Sequence, residues 1–139
     1  MSNNYTIQDF YFQHHLKTRL RDLDAFRHVN NAVFLSYIED ARHALIRRWN
    51  LDYESKSIIA ASIKIDYLKQ VTHPADLIIG QRVVRIGNTS FDIEAIVFEK
   101  NEGVAVCKSL VTCVAFDFKS NKPVTVHSEI IEDYKKNNY

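Results

Sequence analysis

The chain has 139 residues, room for one ordinary domain with its own core but not for two. At 46% apolar and 25% charged, with 3 Gly and 2 Pro, it falls outside the disordered and collagen-like classes. Eighteen Lys and Arg against 17 Asp and Glu leave a net charge of +1, too little to recruit nucleic acid nonspecifically, so any anionic ligand must meet a local patch.

The opening residues have neither the positive start nor the apolar run of a secretory leader, and no stretch approaches 18 consecutive apolar residues. A soluble, cytoplasmic protein that does not engage membranes is the expectation. The first predicted element is a half-buried strand over residues 12–20, where Phe12, His14, Leu16, Thr18 and Leu20 alternate with Gln13, His15, Lys17 and Arg19. A turn follows around residues 22–25.

The spacing then becomes helical. Phe34, Tyr37, Ile38, Ala41, Leu45 and Trp49 recur at turns of an α-helix across residues 31–49, a span of about 28 Å at ~1.5 Å per residue. Asn30 or Asn31 can cap its first amides, and Arg47 and Arg48 suit its negative end. Ala32, Val33, Phe34 and Leu35 in succession make the first turn apolar nearly all round, as in a helix covered on several sides.

Everything after the helix reads as strands, over residues 59–67, 77–86, 90–99 and 104–116, with a break at residues 72–74 and turns at Gly87-Asn88 and at residues 101–103. The last strand carries Ala105, Cys107, Ser109, Val111, Cys113 and Ala115 on one face, small side chains that leave room for something wide. The simplest occupant is the helix. The predicted architecture is therefore α+β, a curved antiparallel sheet of about five strands wrapped round one long helix, with the last four strands in hairpin sequence. Residues 135–139 are expected to be the only loose segment. Cys107 and Cys113 sit too far apart on one strand to bridge, and free thiols fit a reducing compartment.

The densest polar cluster, residues 19–31, lies between the first strand and the helix. Free amides at a helix start stabilise developing negative charge, and here Asp22, Asp24 and His28 stand beside them. The same residues also read as loop carboxylates, helix caps and a hydrogen-bonded loop histidine, so the pattern alone leaves function open. His14 and His15 do not make a metal site, because adjacent strand residues point to opposite faces and no ligand spacing accompanies them. No G-x-S-x-G elbow and no glycine-rich phosphate loop occurs.

The string RDLDAFRHVNNAVFLSYIEDAR, residues 21–42, resembles the signature of the 4-hydroxybenzoyl-CoA thioesterase-like branch of hotdog-fold acyl-CoA thioesterases, and is similar to the long-chain acyl-CoA thioesterases within it. The resemblance covers roughly residues 12–120. It implies a single hotdog domain that hydrolyses acyl-CoA to a carboxylic acid and CoA without cofactor or metal, as a homodimer or homotetramer. It aligns Asp24 with the family's catalytic carboxylate, as general base or nucleophile, and Asn31 with the position whose backbone amide polarises the thioester carbonyl. His28 and Asn30 belong to a His-Val-Asn-Asn string shared with acyl-carrier-protein thioesterases, but Phe26 stands where those enzymes place an Asn. His28 is thereby either a helper in catalysis or a loop anchor.

Asn30, Phe34, Tyr37 and Glu39 are the candidate substrate-binding residues. Helix capping by Asn30, core packing by Phe34 and Tyr37, and an ion pair of Glu39 with Arg42 or His43 are the competing structural roles. Lys64, Lys69, Arg82, Arg85 and Lys108 are the candidates for meeting CoA phosphates. A noncatalytic acyl- or CoA-binding hotdog protein, an acyl-carrier-protein thioesterase and a hotdog hydratase are the alternative functions.

Overall fold

The first strand, β1 (Phe12–Lys17), stops three residues short of its predicted end because Thr18 turns out of the sheet. Its amide donates to the Ala75 carbonyl at 3.0 Å and its hydroxyl meets His73 Nδ1 at 2.8 Å, after which the chain winds through a short 3-10 turn at Leu20–Asp22. This computed structural model describes residues 5–137. Helix α1 (Asn31–Arg47) opens on Asn30, whose Oδ1 accepts the Ala32 amide at 2.9 Å. It closes two residues early, with Trp49 in the last tight turn and Asn50 left-handed. Phe34, Tyr37, Ile38, Ala41 and Leu45 are its buried face, and Trp49 is buried beyond them, as the 3.6-residue spacing requires.

Four long strands follow: β2 (Ser57–Tyr67), β3 (Asp76–Ile86), β4 (Ser90–Glu99) and β5 (Val104–Asp117). The sheet runs β1-β3-β4-β5-β2, each neighbouring pair antiparallel. The hairpin sequence expected for the last four strands holds only from β3 to β5, since β2 pairs with β5 at one edge and residues 68–75 cross to β3 near the other. The cause is visible in that connection: Val71 is buried in the core and its carbonyl takes the Val29 amide at 2.8 Å, so the segment spans the mouth of the helix instead of turning tightly.

On β5 the small-residue face is buried beneath α1. Cys107 packs in one cluster with Phe34, Tyr37, Ile38 and Ala41, while Val111 and Cys113 pack in a second with Leu45 and Trp49. Both cysteines are free, and burial pushes each thiol up to about 12. A two-residue strand, β6 (Lys122–Pro123), adds to β5.

The chain then ends in helix α2 (Ser128–Asn137), which overturns the expected loose tail at Lys135, Lys136 and Asn137; residues 138 and 139 of that expectation lie outside the described residues. Ile130 is fully buried against the Leu45, Trp49 and Phe91 cluster, with Ile131 and Tyr134 packed beside it. That apolar face ties the charged segment down.

Candidate active site

The polar junction between β1 and α1 divides into two carboxylates with opposite surroundings. Asp22 is 1% exposed. Its carboxylate accepts the Tyr37 hydroxyl at 2.5 Å, the Arg19 amide at 2.8 Å and the Arg19 guanidinium at 3.0 and 3.2 Å, while its carbonyl takes the Asn30 amide at 2.9 Å. Burial alone would raise its pKa, but the Tyr37 and Arg19 hydrogen bonds outweigh burial and hold the carboxyl below the usual range. Burial and the Asp22 charge drive the Tyr37 hydroxyl up in turn. Asp22 thus fastens the loop to the helix.

Asp24 sits two residues on, in a narrow hairpin closed by the Leu23 and Val29 bridge. Its Oδ1 accepts the backbone amides of Phe26 at 2.8 Å and His28 at 3.2 Å, and its own amide donates to the His28 carbonyl at 2.8 Å. Among the described residues, Oδ2 has no hydrogen-bond partner. One oxygen is a fixed anchor and the other is left over.

Asp24 is one wall of a cleft of about 470 Å³ lined also by His28, Val29, Asn30, Asn31, Phe34, Tyr67, Leu68, Lys69 and Gln70. Asn31 opens the helix, and no described residue accepts from its amide, as expected for a first-turn donor. The Asn31 carbonyl accepts the Tyr67 hydroxyl at 2.9 Å, and the Phe34 and Tyr67 rings meet edge to face at 5.9 Å, which braces the cleft wall against β2. His28 Nδ1 is buried with no partner, and the histidine holds the loop through its backbone alone.

The junction string therefore brings Asp24, His28, Asn30, Asn31 and Phe34 to one cavity, with the Asn30 side chain spent on the helix cap. Tyr37 lies outside it, buried in the core with its hydroxyl on Asp22. Glu39 lies outside it too, exposed, 3.8 Å from Arg42 in a separate groove between α1 and β2, so it does not touch the junction loop. The cleft residues missing from the sequence reading, Tyr67, Leu68 and Gln70, come from the end of β2 and the crossing segment. No local pattern marks them, because their proximity to the helix start is set by the crossover.

Of the candidate phosphate ligands only Lys69 reaches the cleft, and it pairs with Glu102 at 3.0 Å. Arg82 pairs with Glu94, Arg85 with Asp92 and Lys64 approaches Asp66, while the Lys108 ammonium lies 5.1 Å over the Tyr5 ring. His14 bonds Asp40 at 2.9 Å, away from His15. Among the described residues, no cluster of three or more His, Cys, Asp or Glu is disposed to hold a metal, and no helix is long and apolar enough to cross a membrane.

A curled antiparallel sheet around a central helix, with a polar cleft at the helix mouth, defines a hotdog-fold protein. The family model of the Thioesterase-like superfamily matches residues 18–133, and the chain belongs to that family. It is a distant homologue of the long-chain acyl-CoA thioesterase FadM of Escherichia coli, 26% identical over 125 residues that cover 86% of this chain and 94% of the relative. Among solved structures, a thioesterase from Thermus thermophilus complexed with coenzyme A and Zn is 31% identical, with a TM-score of 0.81 over 91% of this chain and 98% of that one. The PA5185 protein of Pseudomonas aeruginosa is 25% identical, with a TM-score of 0.84 over 94% of each chain.

Proposed function

We propose that this chain is an acyl-CoA thioesterase, converting acyl-CoA and water to a carboxylic acid and CoA, with Asp24 as general base or nucleophile. The observation that carries the reading is that Asp24 and Asn31 line one cleft, with Asp24 Oδ2 and the Asn31 amide free of hydrogen-bond partners among the described residues. A thioester carbonyl oxygen directed at the Asn31 amide gains stabilisation as negative charge develops, in the field of the helix start. Asp24 Oδ2 then takes a proton from the attacking water, and collapse of the tetrahedral intermediate breaks the C–S bond and expels the CoA thiolate, which recovers that proton; alternatively Oδ2 adds to the carbonyl, the C–S bond breaks to release the CoA thiolate and leave a mixed anhydride, and water opens the anhydride, giving one proton to the thiolate. Anchoring of Oδ1 by two backbone amides orients Oδ2 for either route without a conformational search.

CoA as the leaving group is supported by the FadM homology and by the coenzyme held in the Thermus structure. The proposal extends to a homodimer or homotetramer. β2 is a sheet edge whose Ile59, Ile63 and Tyr67 stay exposed, the kind of edge that pairing covers. Light scattering checks the oligomer, and a monomer at working concentration counts against it.

An acyl-CoA panel read with a thiol-reactive dye tests the activity. Release of free CoA from the wild type, lost in Asp24→Asn, is the expected result. Binding without release would make the chain an acyl-CoA-binding protein, and hydration of a 2-enoyl-CoA would make it a hydratase. Turnover retained by Asp24→Asn would remove that carboxylate from the mechanism.

A further inference from the structure

Two side chains grip the peptide unit that follows the Asn31 α-carbon. At one end the Ala32 amide donates to Asn30 Oδ1 at 2.9 Å, and at the other the Asn31 carbonyl accepts the Tyr67 hydroxyl at 2.9 Å. The preceding unit, which carries the Asn31 amide, is held at its Asn30 carbonyl by the Val33 amide at 2.9 Å. Of the polar groups on these two units, only the Asn31 N–H has no partner among the described residues, and Asn31 lines the cleft beside Asp24.

Helix formation does not call for the Tyr67 bond. The carbonyls of a first turn are satisfied along the helical ladder, and the groups left over at that end are the amides. Nor does the phenol require it, because Tyr67 is 41% exposed and solvent serves its hydroxyl equally well. What the bond adds is geometry: it fastens the first residue of α1 to the end of β2. That end is itself fixed, since the Val106 carbonyl of β5 accepts the Leu68 and Lys69 amides at 2.9 and 3.2 Å. Two residues before Asn31, the Val29 amide is fixed on the Val71 carbonyl. Asn31 is thus bracketed by a backbone bond on one side and by a single side chain, Tyr67, on the other.

We propose that Tyr67 is a positioning residue, whose hydroxyl acts through the Asn31 carbonyl to hold the Asn31 amide where a thioester oxygen acquires negative charge. The inference rests on the acyl-CoA reading above and names the group that sets the geometry of its oxyanion donor. A hydrogen bond weakens steeply as its angle closes, so a donor free to tilt loses part of its effect on the transition state and little of its effect on the bound substrate. Tyr67 is not assigned a proton transfer, because its hydroxyl proton is engaged by the Asn31 carbonyl.

Tyr67→Phe is the test, since it keeps the ring against Phe34 and removes only the hydroxyl. Across an acyl-CoA panel kcat is expected to fall by about tenfold with KM unchanged, short of the roughly 100- to 1000-fold cost of losing a whole oxyanion donor. Binding of trifluoroacetonyl-CoA, whose ketone hydrates to a tetrahedral centre, weakens by the same factor, whereas binding of propyl-CoA, a thioether with no carbonyl, stays the same. In the ligand-free protein the NMR order parameter of the Asn31 amide falls. An unchanged kcat, or equal weakening of the two analogues, overturns the proposal. A fall in kcat with the Asn31 order parameter unmoved overturns it as well, because Tyr67 would then act on the substrate directly. If the wild type hydrolyses no acyl-CoA, the proposed activity has failed, and the ligand-free protein decides the positioning by itself: a lower Asn31 order parameter in Tyr67→Phe sustains the hold on that amide, and an equal one ends it.

Discussion

The two ends of helix α1 treat polar groups in opposite ways. Where the helix closes, Asp133 of α2 collects the Trp49 indole at 2.8 Å, the Asn137 amide at 2.8 Å, the Arg48 guanidinium at 3.3 Å and the Tyr11 hydroxyl at 3.5 Å. Where it opens, Asp24 Oδ2 and the Asn31 amide have no hydrogen-bond partner among the described residues, and His28 Nδ1 is both unpartnered and buried. A saturated network adds to stability, whereas groups left to solvent add nothing to it and a buried unpaired one subtracts. The groups at the opening end are left free for something outside the fold, at a cost in stability for the buried His28 Nδ1, and this contrast can be attacked one residue at a time.

The largest effect is expected at Asp24. Asp24→Asn keeps the Oδ1 anchor but loses the charge and basicity of the other oxygen, so kcat should fall by roughly a thousandfold or more. The urea midpoint should stay within error of wild type, since Oδ2 bonds nothing in the fold. A fall in midpoint with turnover intact would invert the contrast.

Tyr37→Phe comes next and acts on stability. It strips a charge-assisted hydrogen bond from buried Asp22, a loss of about 1.5–3 kcal/mol by urea denaturation. The pH dependence fixes the sign. Asp22 is more acidic folded than unfolded, so its contribution is full above the ordinary carboxylate range and drains away as pH falls through the lower folded value. Removing the Tyr37 bond should bring the folded pKa back up, so acid titration of stability in the variant should show a shallower loss below about pH 4 than in wild type. Equal slopes would mean that Tyr37 does not set the Asp22 proton affinity.

At the closing end, Asp133→Ala leaves the buried Trp49 indole N–H unpaired, costing about 1–3 kcal/mol in the same denaturation experiment while kcat holds. This half of the contrast was hard to read from the sequence. The α1 periodicity and the alternation in β3, β4 and β5 were legible because each is a local pattern repeated over ten or more residues. The α2 face rests on Ile130, Ile131 and Tyr134 alone, and a charged tail hid it. The β2-to-β5 pairing was likewise invisible, since alternation says which residues share a face but not which strand lies beside it. At the site the whole Asp24 to Asn31 string could be read, being contiguous, while Tyr67 and Gln70 depend on that unseen pairing and on the crossover it forces. For Glu39 the sequence left two roles open, and the structure has it 3.8 Å from Arg42: spacing puts it on a helix face without saying that this face turns toward the β2 groove and not the mouth.

The smallest effect is expected at His28, and it bears most directly on what the unsatisfied groups are for. The backbone of residue 28 does the structural work, donating to Asp24 Oδ1 and accepting from the Asp24 amide, and alanine supplies both groups equally well. The imidazole contributes no described hydrogen bond, and its buried Nδ1 is a burden that alanine removes. His28→Ala should therefore fold at least as stably as wild type. If the ring acts only on the bound thioester or its water, kcat falls by about tenfold, near the lower end for a general acid or base, while the urea midpoint holds or rises. A lowered midpoint would show instead that the ring supports the loop, and the opening of α1 would then keep two functional groups, Asp24 and the Asn31 amide, rather than three.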